Sequence, residues 1–264
     1  ATRNMCRFLA YMGAPVTVES LLIHPIYSLL TQTRAPRMQR HGDGNPDGFG
    51  VAWYDPDDAT TPRRYRAAVP MWTDETFLGR ANQISSSAIL GHVRSATPGS
   101  AVTAENTHPF MADHWVFAHN GSVSDFSDDG GARLRSMITP RRLQGVEGST
   151  DSEALFALTL DLLDTGAEPG EAMGNAIQAV CAISASPVHR LNLVLTDGER
   201  LAATAYGDTL FVLDHEGLTR DGVIVASEPF DDHPAWQMVP DGSVVEATRA
   251  GVAVRSLALS RNAT

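Results

Sequence analysis

Apolar positions in this chain fall into short runs separated by polar clusters, with no internal repeat and no coiled-coil heptad. Nine runs, at 6–12, 49–54, 88–93, 115–118, 191–195, 201–205, 210–213, 223–226 and 252–256, have the length and pattern of strands. A helix is predicted after Asp74, a ready N-cap, because Phe77, Leu78, Ala81 and Ile84 recur at helical spacing. A second follows Thr150-Asp151-Ser152-Glu153, which has the form of a capping box, with Leu155, Leu158 and Leu162 on one face. Met173, Ile177, Val180 and Cys181 mark a third. Polar segments rich in Gly, Pro and Asp at 34–46, 55–64 and 125–131 read as loops. Two long central helices with strands on either side imply an α+β plan, stacked sheets with helices layered over them. None of the loops is linker-like, so residues 6–264 are expected to form one domain, preceded by a short extension, residues 1–5.

Composition narrows the class without naming a function. With 264 residues, 43% hydrophobic and 19% charged, the chain is an ordinary globular one and neither disordered nor fibrous. Its net charge is −11, and all 20 basic residues are arginine. A diffuse negative field argues against nucleic acid or an anionic membrane as partner. No apolar run reaches the roughly 18 residues of a membrane span, and the N-terminus lacks the build of a signal peptide. Two cysteines make neither a disulfide framework nor a zinc finger. A soluble, cytoplasmic protein is expected, with its oligomeric state open.

Cys6 heads the first strand. A lone strand cysteine is ordinarily a small buried hydrophobe, and Cys181, on the apolar face of a helix, fits that description. Cys6 differs through its place near the chain start. A cysteine whose own α-amino group is free has a base of pKa about 7.7–8.0 within reach of its sulfur. That amine can take the thiol proton and return it later, so no separate histidine is needed. Four polar clusters follow: Gly91-His92-Val93-Arg94-Ser95-Ala96-Thr97-Pro98-Gly99, Glu105-Asn106-Thr107-His108-Pro109-Phe110, His119-Asn120-Gly121 and Ser149-Thr150-Asp151-Ser152-Glu153. Each has an ordinary reading alone. Arg94 is an ion-paired strand end, Asn120-Gly121 a turn, and Asp151 a first-turn acid stabilised by the helix dipole. His92, His108 and His119 are hydrogen-bonded core or loop residues whose spacing matches no usual zinc motif.

Taken in order, the clusters resemble the class II glutamine amidotransferases, a branch of the N-terminal-nucleophile hydrolases. The shared signature is a cysteine near the start, then H-x-R-x-A-T-x-G, N-x-H-P, H-N-G and T-D-S-E. Asn45-Pro46-Asp47-Gly48-Phe49-Gly50 is similar to the family's P-D-G-x-G element, and the resemblance runs from Met5 to about residue 257. It implies a four-layer αββα fold with two stacked, mainly antiparallel sheets, and γ-glutamyl amide hydrolysis without cofactor or metal. By this resemblance Cys6 would attack the γ-carbonyl and form a thioester, with the Asn120 side chain and the Gly121 N–H as oxyanion donors. Arg94 would hold the substrate α-carboxylate in a bidentate fork and Asp151 its α-ammonium. Thr97 and His108 would line the same pocket.

Three stretches are similar to the small amidohydrolases of ergothioneine biosynthesis within that family: Met5-Cys6-Arg7-Phe8-Leu9-Ala10-Tyr11, Ala35-Pro36-Arg37-Met38-Gln39-Arg40-His41-Gly42 and Ala226-Ser227-Glu228-Pro229-Phe230-Asp231-Asp232. They imply γ-glutamyl-hercynylcysteine sulfoxide as the substrate. Asn106-Thr107-His108-Pro109-Phe110 instead resembles the γ-glutamyl peptide hydrolases that act on glutathione-type compounds. Two alternatives stay open: a glutaminase subunit that supplies ammonia to a partner synthetase, and a binding protein that has kept the pocket without catalysis. A trimethylammonium leaving group would suit an acidic chain and find an aromatic face at Trp72, Phe110, Trp115 or Trp236. Residues 1–5 precede Cys6, and while attached they replace its amine by a peptide nitrogen. The expectation is a start at Met5 with the methionine removed to expose Cys6. A leader removed on maturation and an unprocessed, inactive form are the other readings.

Overall fold

The first apolar run becomes the strand around which the rest is arranged. The computed structural model describes residues 5–39, 44–55, 58–184, 188–214 and 222–258. Chain order begins with β1 (Arg7–Thr17), α1 (Val18–Leu22), α2 (Leu29–Gln32), β2 (Phe49–Asp55), β3 (Asp58–Ala67), α3 (Glu75–Leu78) and β4 (Ser85–Val93). It continues through β5 (Phe110–Ala112), β6 (Trp115–Ser122), α4 (Asp129–Ser136), α5 (Pro140–Leu143), α6 (Asp151–Asp164) and α7 (Pro169–Ile183). Then come β7 (Arg190–Thr196), β8 (Arg200–Ala205), β9 (Phe211–Asp214), β10 (Gly222–Ala226), β11 (Gln237–Met238), β12 (Ser243–Thr248) and β13 (Gly251–Ser256). One sheet has the order β11-β9-β10-β1-β4-β2-β3 and the other β13-β12-β8-β7-β6-β5, with antiparallel pairings throughout.

Alternation along β1 explains the layering. Phe8, Ala10 and Met12 point between the sheets, against Ala88 and Leu90 of β4 and Val116 and Ala118 of β6. Leu9 and Tyr11 point the other way and join Leu21 and Leu22 of α1 and Leu29 of α2. Beyond the second sheet, Phe117 and Leu193 pack on Leu155 and Leu158 of α6 and Met173 and Ile177 of α7. A strand segment covered on both faces favours apolar side chains at successive positions, which is why Phe8–Met12 reads as an unbroken hydrophobic run. Each fully buried Leu or Phe contributes about 1.5–3 kcal/mol, so these three apolar layers hold the sandwich together. The result is the α+β, four-layer αββα arrangement. Among the described residues no helix is long and apolar enough to cross a membrane.

The structure corrects several sequence expectations. Most of the 55–64 segment is the strand β3, which lies at a sheet edge. Its outer backbone groups face away from the sheet, so polar side chains and Pro62 are tolerated there. Asp74 does cap a helix, accepting from the Phe77 amide at 2.9 Å. That helix, α3, ends at Leu78, and Ala81 and Ile84 lie beyond it. The 125–131 segment runs into helix at Asp129. Strands β5, β11 and β12 had no counterpart in the pattern. Within 34–46, residues 40–43 lie outside the described residues.

The register brings the chemistry to one end of the sandwich. Arg7 pairs with Val93, so Cys6, just before β1, sits beside Arg94 and Ser95, just after β4. On the second sheet, β6 ends at Gly121 and Ser122, opposite Leu191 and Arg190 of β7.

Candidate active site

Cys6 is 9% exposed, with its sulfur against the backbone of Ser95. The sulfur accepts from the Ser95 N–H at 3.4 Å, and the thiol donates to the Ser95 carbonyl at 3.7 Å. Burial pushes the thiol above its ordinary value, and the Ser95 amide, Arg94 and Arg7 only partly offset this. A cavity of about 640 Å³ opens from the sulfur. Cys6, Arg94, Thr97, His108, Gly121 and Asp151, six of the residues singled out in the sequence, line it together.

Arg94 is 4% exposed. Its guanidinium donates to the Ala101 carbonyl at 3.1 Å and to Ser100 Oγ at 3.0 Å. Among the described residues it has no carboxylate within ion-pair distance. The ion-paired strand end of the ordinary reading is therefore absent there. Burial lowers its pKa, and Asp47 and Asp151 offset this only from beyond contact distance, so a ligand carboxylate would supply the missing direct partner. The loop carrying it is fixed by Asp47, whose carboxylate accepts from the Ala96 amide at 2.8 Å.

Asp151 opens α6. Its carboxylate accepts from the Val123 amide at 2.7 Å and from the Ser152 amide at 2.8 Å, which ties the helix start to the chain just past β6. Thr150 caps the helix by accepting from the Glu153 amide at 3.3 Å. The reciprocal half of the box does not form, because the Glu153 carboxylate turns to the amides of Glu147 and Gly148 at 2.8 and 2.6 Å. Gly121 adopts φ +151°, and a Cβ there would collide with the Arg190 carbonyl oxygen, so the position requires glycine. Asn120 is placed differently from the other six. It is fully buried off the cavity wall, with its amide nitrogen held by Asp208 Oδ2 at 3.3 Å and Ser227 Oγ at 3.5 Å.

The three histidines form a buried cluster. His92 and His108 stack with centroids 4.1 Å apart, and His92 Nε2 donates to the His119 carbonyl at 3.3 Å. His119 Nε2 donates to the Arg190 carbonyl at 2.9 Å, so its Nδ1 accepts from Ser152 Oγ at 2.9 Å. His108 is 3% exposed, and neither ring nitrogen has a partner among the described residues. Burial pulls all three below the ordinary histidine value, His92 to about 3.

Two features escaped the sequence reading. Glu228 accepts from Arg7 Nε at 3.3 Å and from the backbone amides of Arg37 and Met38 at 2.9 Å each. The three stretches quoted for their family resemblance thus meet at one carboxylate. Arg7, fully buried, also donates to the Cys6 carbonyl at 2.9 Å. The second feature is the pair Phe126 and Arg135 on the cavity wall, where the sequence had suggested Trp72, Phe110, Trp115 or Trp236. Those four are engaged elsewhere: Arg34 covers Trp72, Arg200 lies over Trp115, Trp236 packs on Phe230, and Phe110 belongs to the core under the helices.

Comparison with known proteins identifies the family. The family model described as glutamine amidotransferases class-II matches residues 25–217. A γ-glutamyl-hercynylcysteine sulfoxide hydrolase of Mycobacterium tuberculosis (strain CDC 1551 / Oshkosh) is 40% identical over 253 residues, 96% of this chain and 97% of the relative. One of the same name from Mycolicibacterium smegmatis is 37% identical over 254 residues, 96% of this chain and 100% of the relative. Among solved structures, a glutamine aminotransferase class-II domain protein from Silicibacter pomeroyi superposes with a TM-score of 0.72 at 27% identity, covering 96% of this chain and 100% of that one. The glutamine phosphoribosylpyrophosphate amidotransferase of Bacillus subtilis, at 17% identity, TM-score 0.65 and 97% coverage of this chain against 50% of its own, shares the fold alone. A cavity that gathers the ordered motifs, on a sandwich of this architecture, and relatives matching along nearly the whole chain lead to one assignment: the chain belongs to the class II glutamine amidotransferases.

Proposed function

We propose that this protein hydrolyses the γ-glutamyl amide bond of γ-glutamyl-hercynylcysteine sulfoxide, with Cys6 as nucleophile once its α-amino group is free. The observation that carries the reading is Arg94, a buried guanidinium without a carboxylate partner, sharing one cavity with Cys6 and Asp151. A γ-glutamyl group has an α-carboxylate for the first, an α-ammonium for the last and an electrophilic carbonyl for the sulfur. The thiol proton passes to the Cys6 α-amine and the thiolate adds to the γ-carbon. The Gly121 N–H and the Asn120 amide are the proposed donors to the oxyanion, Asn120 after exchanging its present partners. Collapse breaks the C–N bond, and the α-ammonium returns the proton to the leaving amine. Water, deprotonated by the same amine, adds to the thioester, releasing glutamate and restoring the thiol. Thr97 and His108 complete the pocket wall, and the reaction is assigned to the cytoplasm.

The substrate named for the mycobacterial relatives sets the test. With a chain beginning at Cys6, kcat/KM for γ-glutamyl-hercynylcysteine sulfoxide should exceed that for glutamine by about tenfold or more, roughly 1.4 kcal/mol of transition-state binding. Glutathione should fall between them or near glutamine. Glutathione ranking first would move the assignment to a γ-glutamyl peptide hydrolase, the reading that Asn106-Thr107-His108-Pro109-Phe110 favours. Glutamine ranking first would make it an ammonia donor. The same protein with Met5 still attached should be slow or dead.

A further inference from the structure

The cavity holds a second guanidinium that a glutamyl group leaves unused. Arg135, on α4, lines the same cavity as Cys6. It lies over the Phe126 ring, 4.8 Å from the centroid, and Phe126 lines the cavity too. Stacking on a ring face holds a planar cation in place while its N–H edge stays available for a planar acceptor. Among the described residues no carboxylate pairs with Arg135 and no acceptor takes its guanidinium N–H groups. The helix beneath is well anchored: Leu134 is fully buried, and Arg133 is occupied by Asp129 and by the Ile183 carbonyl. Of the two arginines on α4, one is committed to the fold and the other to the cavity.

Volume and charge lead the same way. About 640 Å³ suits a drug-sized molecule rather than a single amino acid. Arg94 and Asp151 account for the two charges of a glutamyl α-carbon. Asp151, which the α-ammonium takes, is the one carboxylate residue on the described wall, so none is left there for Arg135. Resting on the γ-glutamyl hydrolase reading, the geometry points to Arg135 as the residue that reads the leaving group, through charge-assisted hydrogen bonds to a carboxylate it carries. The leaving amine of γ-glutamyl-hercynylcysteine sulfoxide is itself an amino acid. Its cysteine carboxylate is bonded to the carbon that bears the scissile nitrogen, and its hercynine part carries a second. Ammonia, the leaving group of glutamine, has neither. Arg135 therefore selects γ-glutamyl compounds whose amine half is an acid. Phe126, the aromatic ring on the wall, already faces a cation of the protein's own.

The test compares the chain beginning at Cys6 with its Arg135→Gln and Arg135→Lys variants on three substrates. These are γ-glutamyl-hercynylcysteine sulfoxide, γ-glutamylalanine and γ-glutamylethylamide; the last two differ only by the carboxylate near the scissile nitrogen. Arg135→Gln should lower kcat/KM on γ-glutamyl-hercynylcysteine sulfoxide by about tenfold or more beyond its effect on γ-glutamylethylamide, the scale of one charge-assisted hydrogen bond. Arg135→Lys should recover part of the loss. A matching fall in the ratio of γ-glutamylalanine to γ-glutamylethylamide assigns the contact to the cysteine carboxylate. A selective loss confined to the large substrate assigns it to the hercynine carboxylate. Equal losses on all three, or none on any, overturn the proposal. Failure of the unsubstituted protein to cleave any of them sinks the γ-glutamyl hydrolase reading itself.

Discussion

A thiol pushed up by burial keeps its proton at neutral pH, so Cys6 needs a base before it can attack. His108 and His119 share its cavity, but burial holds both rings below the ordinary histidine value, and His119 Nδ1 is taken by Ser152. The α-amino group of Cys6 is the base that remains under the proposed mechanism. Cys6→Ala should abolish γ-glutamyl hydrolysis and leave the melting temperature near that of the parent. Cys181 is exposed rather than the buried hydrophobe its helix position predicts, with its sulfur 3.4 Å from the Tyr206 hydroxyl, and Cys181→Ala should keep parental turnover. Arg94→Lys keeps the charge but loses the fork, and kcat/KM should drop by the equivalent of about 2–5 kcal/mol. An α-linked glutamyl amide should remain uncut by the parent enzyme; its cleavage at a comparable rate would remove Arg94 and Asp151 from the assigned roles. Cys6, Arg94, Thr97, His108, Gly121 and Asp151 were legible because ordered motifs carry them. Arg135 was not. A single arginine on a polar helix has no spacing signal, and its place on the cavity wall appears only once α4 packs on α6 and α7.

Among the elements, the buried pair Arg7–Glu228 joins three segments that are remote in sequence. Neither side chain is exposed, and Glu228 also caps two amides of the 35–39 segment. Removing one member of a buried ion pair typically costs about 3–5 kcal/mol, and Asp208, 4.0 Å from Arg7, is too far to replace the hydrogen-bonded Glu228. Glu228→Ala should lower the unfolding free energy obtained from denaturant titration by about that amount, and the midpoint with it, whereas Asp232→Ala, at the exposed Arg37–Asp232 pair, should change it by less than about 1 kcal/mol. Similar midpoints for the two variants would contradict this account. The inner strands were legible because burial on both faces leaves little room for polar residues. Three of the unpredicted strands, β3, β5 and β11, lie at sheet edges, where that constraint lapses. The fourth, β12, lies inside its sheet but is broken by Glu246, whose carboxylate reaches Arg255 on β13 at 2.7 and 3.0 Å.

For the molecule as a whole, the neutral histidine cluster sets an acid limit. An unfolded histidine takes up a proton near pH 6.5, whereas His92 in the fold does so only near about 3, and His108 well below its ordinary value. Below pH 6.5 the unfolded chain therefore binds more protons than the folded one, and stability falls as the pH drops. Each such site contributes up to about 1.4 kcal/mol per pH unit in that window and nothing above it. Melting temperatures should be level between about pH 7.5 and 8 and decline from pH 6.5 downward, and His92→Gln should make the decline shallower. A slope unchanged in that variant would show that other groups govern it.

The position of β1 also fixes an order in time. It lies between β4 and β10, and 221 residues separate Arg7 from its partner Glu228. This strand, which directly follows Cys6, is synthesised before both of its neighbours, and one of them comes near the close of the described chain. Loop closure over such a span is slow compared with local pairing. Any nascent fragment ending before β10 leaves one edge of β1 open and Arg7 without Glu228, with only the longer 4.0 Å contact to Asp208. Cys6, made before either strand that flanks β1, is thus framed only once β10 has paired, so completion of the site is expected late in folding.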